Sequence, residues 1–297
     1  MSTAPCEICG SASWTVSYTG PVRDGTFGRI IEEATVRRCG GCGVERLDER
    51  FCLTDADYQS DAYRSTLGQE LDNRSYKLKH DTLQRFTMSL LAMEKLRDMT
   101  LADIGCGGGS LLDHLRGITA GLLGVEPYDR YRETLTGQGY VAYPYASDAA
   151  RDHAGTVDLA VSQLVIEHTA DPRSFLQDIH SLLKPGGRLL ISTPNADDIL
   201  LDLLPDTYPA FFYRRVHRWY FNADSLARCA AEAGFTVDAV HHVHRYPLSN
   251  ALTWLRDRKP AGDIRLPGID SLADGFWTAY LERAGRSDCV YLMLRKP

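Results

Sequence analysis

Thr100-Leu-Ala-Asp-Ile-Gly-Cys-Gly-Gly-Gly-Ser110 is the stretch that decides the fold of this chain. A short apolar run, Thr100–Ile104, leads into three alternate glycines, and a helix-like segment follows from Ser110. Glycine has no Cβ, so a backbone made of it can come very close to a ligand. A glycine loop between a strand and a helix lies at the carboxyl edge of a parallel sheet, where helix N-termini also point. The stretch therefore predicts a ligand site at that edge.

The rest of the chain after about residue 98 alternates short apolar runs with amphipathic segments, which is typical of a parallel α/β sheet. We expect Lys184-Pro-Gly-Gly187 to end a helix, because proline cannot continue it and glycine supplies the cap. Asp288–Arg295 is expected to add a final antiparallel edge strand. The predicted strands are Thr100–Ile104, Ala120–Val125, Tyr140–Tyr143, Val157–Val161, Arg188–Thr193 and Phe235–Val243, and the predicted helices are Ser110–Arg116, Arg130–Thr136, Ser174–Leu183 and Ser225–Ala233.

Acidic residues accompany the glycine loop at two places. Asp103 leads it, and the next predicted strand ends in Leu123-Gly-Val-Glu-Pro127, with Glu126 at 126 − 105 = 21 residues after Gly105. This arrangement resembles motifs I and II of the class I, Rossmann-like methyltransferases that use S-adenosylmethionine (SAM). The resemblance implies a sheet with helices on both faces, an ammonium group of SAM beside Asp103 and ribose hydroxyls on Glu126. The residues that it implies for SAM binding are Asp103, Gly105, Gly107, Gly109, Glu126, Pro127 and Gln163.

The segment after the fourth predicted strand continues the resemblance through Glu167-His168 and Asp171-Pro172. It is similar to small-molecule O-methyltransferases of the ubiquinone-biosynthesis type, which also carry an H-x-x-x-F stretch, here His217–Phe221. His168 and His217 are candidate general bases, because imidazole titrates near neutrality. The Glu-His pair would equally suit a helix cap. Leu164 stands where some of those relatives carry an acid and use magnesium, so no magnesium site is expected.

Two C-x-x-C-G knuckles stand near the start of the chain, Cys6–Gly10 and Cys39–Gly43. Each knuckle directs two thiolates at one point, and two knuckles complete the tetrahedral S₄ shell that closed structural zinc sites use. The sequence therefore predicts a zinc ribbon with one structural Zn²⁺. Its predicted ligands are Cys6, Cys9, Cys39 and Cys42.

The domain organisation expected from these features has three parts. Residues 1–50 form the zinc-ribbon-like domain, residues 51–97 a helical linker or lid, and residues 98–297 the SAM-dependent methyltransferase domain. A cysteine module before a methyltransferase core is also similar to deoxysugar C-methyltransferases, in which tyrosines ahead of the core line the site. On that resemblance Tyr63 becomes a third candidate catalytic residue.

Composition limits the functions to consider. The formal net charge is −6, from 33 basic and 39 acidic residues, which argues against a large nucleic-acid footprint. No apolar run approaches the ~18 residues of a membrane span, and no basic n-region with an apolar run marks a signal peptide. We expect a cytoplasmic protein with a small-molecule substrate, no membrane partner and little affinity for nucleic acid.

The function predicted from these features is transfer of a methyl group from SAM to an oxygen of a small polar metabolite, in particular a sugar or sugar nucleotide. Three alternatives stay open: a sugar C-methyltransferase, an rRNA base methyltransferase that docks RNA through the zinc ribbon, and a non-catalytic SAM-binding adaptor. The basic-aromatic run Tyr213–Tyr220 either binds an anionic group such as a diphosphate or forms a surface helix on the core.

Overall fold

The computed structural model describes residues 4–25, 30–66, 68, 70–262 and 264–297. The chain divides into two compact units. The first unit comprises Met1–Cys52, Ser192–Arg228 and Ala239–Leu292, and the second comprises Leu53–Ile191, Cys229–Asp238 and Met293–Pro297. The boundaries expected at residues 50 and 97 stay a prediction.

Eleven strands and thirteen α-helices are found in the described ranges. The strands are β1 Trp14–Arg23, β2 Ile30–Cys39, β3 Glu45–Leu47, β4 Thr100–Ile104, β5 Gly121–Val125, β6 Val141–Tyr143, β7 Val157–Gln163, β8 Leu183–Pro194, β9 Trp219–Tyr220, β10 Thr236–Val243 and β11 Cys289–Arg295. The helices are α1 Asp55–Tyr58, α2 Asp61–Thr66, α3 Asn73–His80, α4 Arg85–Leu91, α5 Ser110–Leu115, α6 Asp129–Gly137, α7 Ala146–His153, α8 Pro172–Leu182, α9 Ile199–Leu203, α10 Pro209–Phe212, α11 Ala223–Glu232, α12 Leu248–Asp257 and α13 Ser271–Ala284.

A seven-stranded sheet with the order β10-β11-β8-β7-β4-β5-β6 confirms the predicted α/β fold. β4 runs parallel to both of its neighbours, with Ile104 opposite Val125 of β5 and opposite Ser162 of β7. The chain leaves β4 toward β5 and β6 on one side and returns to β7 and β8 on the other. The carboxyl end of β4 is therefore the topological switch point, where open α/β sheets leave a crevice for a ligand.

Two expectations about this sheet are wrong. Helix α8 ends at Leu182, within one residue of its predicted end, but the glycines do not cap it, because Lys184–Gly187 belong to the long strand β8. β11 is not an edge strand, since it lies between β10 and β8 in the sheet order. Its residues 289–294 are all buried, and an apolar run of this kind suits an inner strand covered on both faces.

The first unit contains a second sheet, with the order β1-β2-β3-β9. β1 and β2 form an antiparallel hairpin that joins the two cysteine knuckles, and Arg46 of β3 pairs with Trp219 of β9. Residues 213–218 of the basic-aromatic run hold no helix, because α10 ends at Phe212 and β9 follows. The core of this unit brings strands of the hairpin together with later segments; its buried members are Val22, Ala34, Val36, Leu47, Leu200, Leu204, Tyr208, Phe212, Tyr213, Tyr220, Ala251 and Trp254.

Candidate active site

The glycine loop follows β4 at the switch point. The N–H groups of Gly105 and Cys106 both donate to the Val125 carbonyl, at 2.7 and 3.0 Å, and so hold the loop against the end of β5. Gly105 has a φ of +79°, a region that residues with a Cβ rarely adopt. A Cβ at this position would lie 2.4 Å from Cγ2 of Val165. The site thus needs glycine both for its backbone angle and for the close approach of the loop after β7.

Two buried carboxylates lie at this loop, and both were predicted. Glu126 is 3% exposed; its Oε2 accepts the Gly107 N–H at 2.9 Å and its Oε1 accepts the Tyr128 N–H at 2.9 Å. Asp103, in β4, is 5% exposed. Burial and the nearby Glu126 carboxylate raise the pKa of Asp103 to about 7. Because a buried anion is costly without a cation, Asp103 is suited to receive a positively charged group.

Helices α2 and α3 contribute three side chains that sequence reasoning missed. Arg64 is half-buried and donates from Nη2 to Oε1 of the buried Glu126 at 2.9 Å. If Gly107 carried a Cβ, that atom would lie 2.3 Å from the Tyr76 hydroxyl, so the Tyr76 ring packs directly against the loop. Asn73 donates from Nδ2 to the Gly108 carbonyl at 3.2 Å. These residues lie 29 to 41 positions before Gly105, the first residue of the loop, and belong to no motif, so no spacing rule pointed to them.

The other predicted residues of the second unit lie in the loops after β5 and β7. Gln163 ends β7, and its Nε2 donates to Oε1 of Gln84 at 2.8 Å. Leu164 has a φ of +55°, and backbone strain of this kind tends to collect at functional loops. His168 ends a 3₁₀ turn over Ile166–His168, with its ring 5.5 Å, edge-on, from that of Tyr58. The Pro127 carbonyl accepts from NH1 of Arg132 at 3.1 Å.

The remaining predicted residues of the site have these positions. Gly109 is the left-handed N-cap of α5, with a φ of +87°. His217 is buried in the first unit, with its ring centroid 6.0 Å from that of Tyr220. Tyr63 lies within α2, but its side chain lies outside the described part of the structure.

The four predicted zinc ligands converge in the first unit. The sulfur atoms of Cys6, Cys9, Cys39 and Cys42 all lie within 4.8 Å of one another. The Sγ atoms of Cys6 and Cys42 are 3.8 Å apart, and those of Cys9 and Cys39 are 3.5 Å apart. Zn–S bonds of ~2.3 Å in a tetrahedron separate the sulfurs by ~3.8 Å, so these thiols fit a closed zinc shell.

The fold and this site define the class of the protein: an α/β protein with a ligand crevice at a glycine loop and two buried acids. A family model described as a methyltransferase domain matches residues 73–240, more than half of the chain. The chain therefore belongs to the methyltransferase domain family, and it is a SAM-dependent enzyme, as predicted.

Curated relatives agree with this assignment. The chain is 27% identical over 200 residues to the ubiquinone biosynthesis O-methyltransferase of Parvibaculum lavamentivorans, which covers 61% of this chain and 76% of the relative. It is 31% identical over 172 residues to the ubiquinone biosynthesis O-methyltransferase of Aeromonas salmonicida, in an alignment that covers 50% of this chain and 68% of the relative. A solved SAM-dependent methyltransferase of Archaeoglobus fulgidus superposes with a TM-score of 0.51 at 15% identity, over 79% of this chain and 98% of that one, and shares the fold. No helix in the described ranges has the length and apolar character that crossing a bilayer requires.

Proposed function

We propose that this enzyme transfers the SAM methyl group to an oxygen of a small polar metabolite, and that the metabolite is a sugar or sugar nucleotide. The observation that carries the proposal is the meeting of the glycine loop, Asp103 and Glu126 at the switch point of the sheet. The names of the curated relatives, which are small-molecule O-methyltransferases, support oxygen as the acceptor atom.

The cofactor would be held by groups that include a buried carboxyl group whose ionisation is costly without a bound cation. Asp103 is buried and its raised pKa shows that ionisation is unfavourable there; a cofactor ammonium would remove that penalty. Glu126 would accept the ribose hydroxyls, and Gly105 and Gly107 would admit the cofactor where a Cβ would not. Gly109, Pro127 and Gln163 would complete the lining. When bound, SAM supplies a methyl carbon on a sulfonium, which is already a good leaving group.

The protein would contribute mainly alignment of the acceptor oxygen with that carbon and exclusion of water. A histidine would take the hydroxyl proton as the oxygen attacks, and His168 or His217 would serve through a ring nitrogen. The Tyr58 ring beside His168 would fix the imidazole plane. Tyr63 stays a candidate for lining the acceptor pocket, and Glu167, which is buried next to His168, has a structural role in this proposal.

The direct test is transfer of radiolabelled methyl from SAM to a catechol, a nucleoside diphosphate sugar and ribosomal RNA in parallel. We expect label on an oxygen of a small molecule. Label on carbon would favour the sugar C-methyltransferase, and label on RNA that falls steeply with salt would favour the RNA enzyme. Tight SAM binding without transfer to any acceptor pool would favour the adaptor.

The base assignment is tested by His168→Gln and His217→Gln, measured separately. We expect kcat to fall by about 10²-fold or more in the variant that removes the base. His114→Gln, on the exposed face of α5, is the matched control and should keep its kcat. Unchanged turnover in both test variants would remove the histidine base from the mechanism.

A further inference from the structure

Helix α13 of the first unit carries an exposed apolar stripe. Leu272, Phe276 and Tyr280 are spaced four residues apart, which places them on one side of the helix, and they are 65%, 70% and 63% exposed. All of α13 lies in the described ranges, and its exposed residues are Ser271, Leu272, Gly275, Phe276, Ala279, Tyr280, Arg283 and Ala284. One charged side chain is found among them, whereas the outer face of a surface helix is normally charged or polar. A contiguous apolar face of this kind marks an interaction surface.

The opposite side of α13 is fixed within the first unit. Leu281 is fully buried. The Asp274 carboxylate accepts the Leu248 N–H at 3.0 Å. The Glu282 carboxylate accepts the His244 N–H, also at 3.0 Å. Rotation of the helix to bury its apolar stripe would break these contacts, so the stripe is available to another molecule.

The large and small residues of the stripe suit a second copy of the same helix. If two α13 helices lie antiparallel about a twofold axis through the middle of the stripe, Phe276 faces Ala279 of the second copy, and Tyr280 faces Gly275. The symmetry repeats both contacts in the other direction. A Cβ on Gly275 would have no atom within 4 Å, so there is open space for the tyrosine ring. Each large side chain then fills the space beside a small one, as in the packing of ridges into grooves.

The charges of α13 also favour a second copy in the antiparallel direction. Arg283 lies in the last turn, and Asp270 is the exposed N-cap. In the antiparallel pair Arg283 comes within one turn of Asp270 of the second copy, whereas a parallel pair would place the two arginines side by side. With its N-cap, α13 contains three acidic residues and one basic residue. Helices that lie on membranes are instead rich in Lys and Arg.

We propose that two copies of this chain associate through α13, packed antiparallel about a twofold axis, with Phe276 of each copy against Ala279 of the other. Covering the three large side chains of both helices removes on the order of 800 Å² from water, which is less than the ~1,200 Å² of a stable interface. The dimer is therefore in equilibrium with the monomer at micromolar concentrations. The inference does not rest on the proposed methyl transfer, since it is tested without SAM.

The experiment is sedimentation velocity of the full-length protein from about 1 to 500 μM, a range that brackets a micromolar Kd. We expect the sedimentation coefficient to rise with concentration from that of a monomer toward that of a dimer. Phe276→Glu should stay monomeric and keep its Tm, because the ring that it replaces is exposed. Val16→Glu, at an exposed apolar residue on β1 of the same unit, is the matched control and should dimerise as the unaltered protein does.

Two results of this experiment would overturn the proposal. One is unaltered protein that stays monomeric over the whole range; binding of that monomer to phosphatidylcholine vesicles would then assign the stripe to a bilayer. The other is a dimer that Phe276→Glu does not dissociate, since its interface would lie elsewhere on the chain.

The antiparallel register is tested by Phe276→Ala and Ala279→Phe, alone and together. Each single change should raise the Kd of the dimer about 10-fold or more, because the first leaves a gap and the second sets two phenyl rings against each other. The double variant exchanges the large and small sides of the contact, so its Kd should return close to that of the unaltered protein. A double variant that associates no better than either single variant would contradict this register.

Discussion

The Arg64 guanidinium lies 2.9 Å from Oε1 of Glu126; the glutamate side chain is buried, with 4% of its surface exposed, and the arginine side chain is half-buried, with 11% exposed. Glu126 already accepts two backbone N–H groups, and a carboxylate has about four lone-pair sites. Only about one site is then left for a ribose that would present two hydroxyls. Since the backbone donors belong to the loop itself, we expect the arginine to be the group that moves when the cofactor binds.

We therefore expect Arg64→Gln to bind SAM several-fold more tightly than the unaltered protein. The same change should lower the free energy of unfolding of the cofactor-free protein by about 1–3 kcal/mol, because the buried Glu126 carboxylate loses a charged hydrogen-bond donor. Calorimetric titration with SAM and chemical denaturation measure the two effects.

Lys184→Gln is the matched control for Arg64, since Lys184 pairs with Asp158 at 2.6 Å near the amino ends of the strands, away from the switch point. It should leave SAM binding unchanged. Weaker SAM binding by Arg64→Gln, with the control unaffected, would mean that Arg64 belongs to the cofactor-bound arrangement.

We expect Asp103 to make SAM binding depend on pH. Its pKa is raised from 3.8 to about 7 in the folded, cofactor-free protein. The stability that this group contributes is therefore complete below its unfolded pKa and is lost as the pH rises through about 7. Binding of a cofactor ammonium needs the ionised carboxylate, so the Kd for SAM should fall by up to ~10-fold per pH unit between about pH 5.5 and 7.

Asp103→Asn should remove this pH dependence and weaken SAM binding at pH 7.5, while making the cofactor-free protein less sensitive to rising pH. Glu133→Gln, on the exposed surface of α6, should behave as the unaltered protein. A SAM affinity that stays constant from pH 5.5 to 7.5 in the unaltered protein would contradict the role given to Asp103.

Gly105 and Gly117 have almost the same φ, so their alanine variants distinguish the cost of backbone strain from the cost of a steric clash. Gly105 and Gly117 have φ values of +79° and +78°, but a Cβ on Gly105 would meet Val165 at 2.4 Å, whereas one on Gly117 would have no atom within 4 Å. Each change to alanine should cost about 1 kcal/mol of backbone strain. We expect only Gly105→Ala to cost more and to raise the Kd for SAM at least 10-fold. Equal SAM affinities in the two variants would show that the loop tolerates a side chain.

The cysteine cluster predicts metal content. Elemental analysis of protein purified without chelators should find about one zinc per chain. Cys39→Ser should lose the metal and lower the Tm by on the order of 10 °C. The reason is that a structural zinc site contributes several kcal/mol of stability, and each kcal/mol corresponds to ~2–4 °C of Tm in a chain of about this size. Cys52→Ser, a half-buried thiol outside the cluster, should keep the zinc. Metal-free protein with an unchanged Tm would contradict the zinc assignment.

Local patterns predicted the elements around the glycine loop well. β4 has the predicted bounds, and the helix from Ser110 ends within one residue of its expected end. These predictions succeed because an apolar run followed by alternate glycines has few conformations in which the run is buried and the glycines form an accessible loop. The convergence of the four cysteine sulfur atoms was predictable in the same way, since the C-x-x-C spacing suits the geometry of a closed zinc site.

Other features depended on contacts between distant segments. The position of β11 between β10 and β8 depends on the order of strands in the sheet. Sequence could not predict it, because an apolar run can have the same composition in an edge strand as in an inner strand. The extension of β8 through Lys184–Gly187 depends on pairing that local proline and glycine signals do not report. The spacing of Leu272, Phe276 and Tyr280 would suit a buried helix face equally well, and only the packing of α13 leaves them exposed.

The sequence by itself determined the α/β fold, the glycine loop between β4 and α5 with Asp103 and Glu126 beside it, and the two cysteine pairs, because each follows from short-range spacing and side-chain chemistry. Only the tertiary structure decided that Arg64 sits on Glu126, that Tyr76 packs against the glycine loop, and that the apolar stripe of α13 is exposed. The physical reason is that ion pairs and close contacts form between surfaces that folding brings together, and no local pattern encodes which surfaces those are.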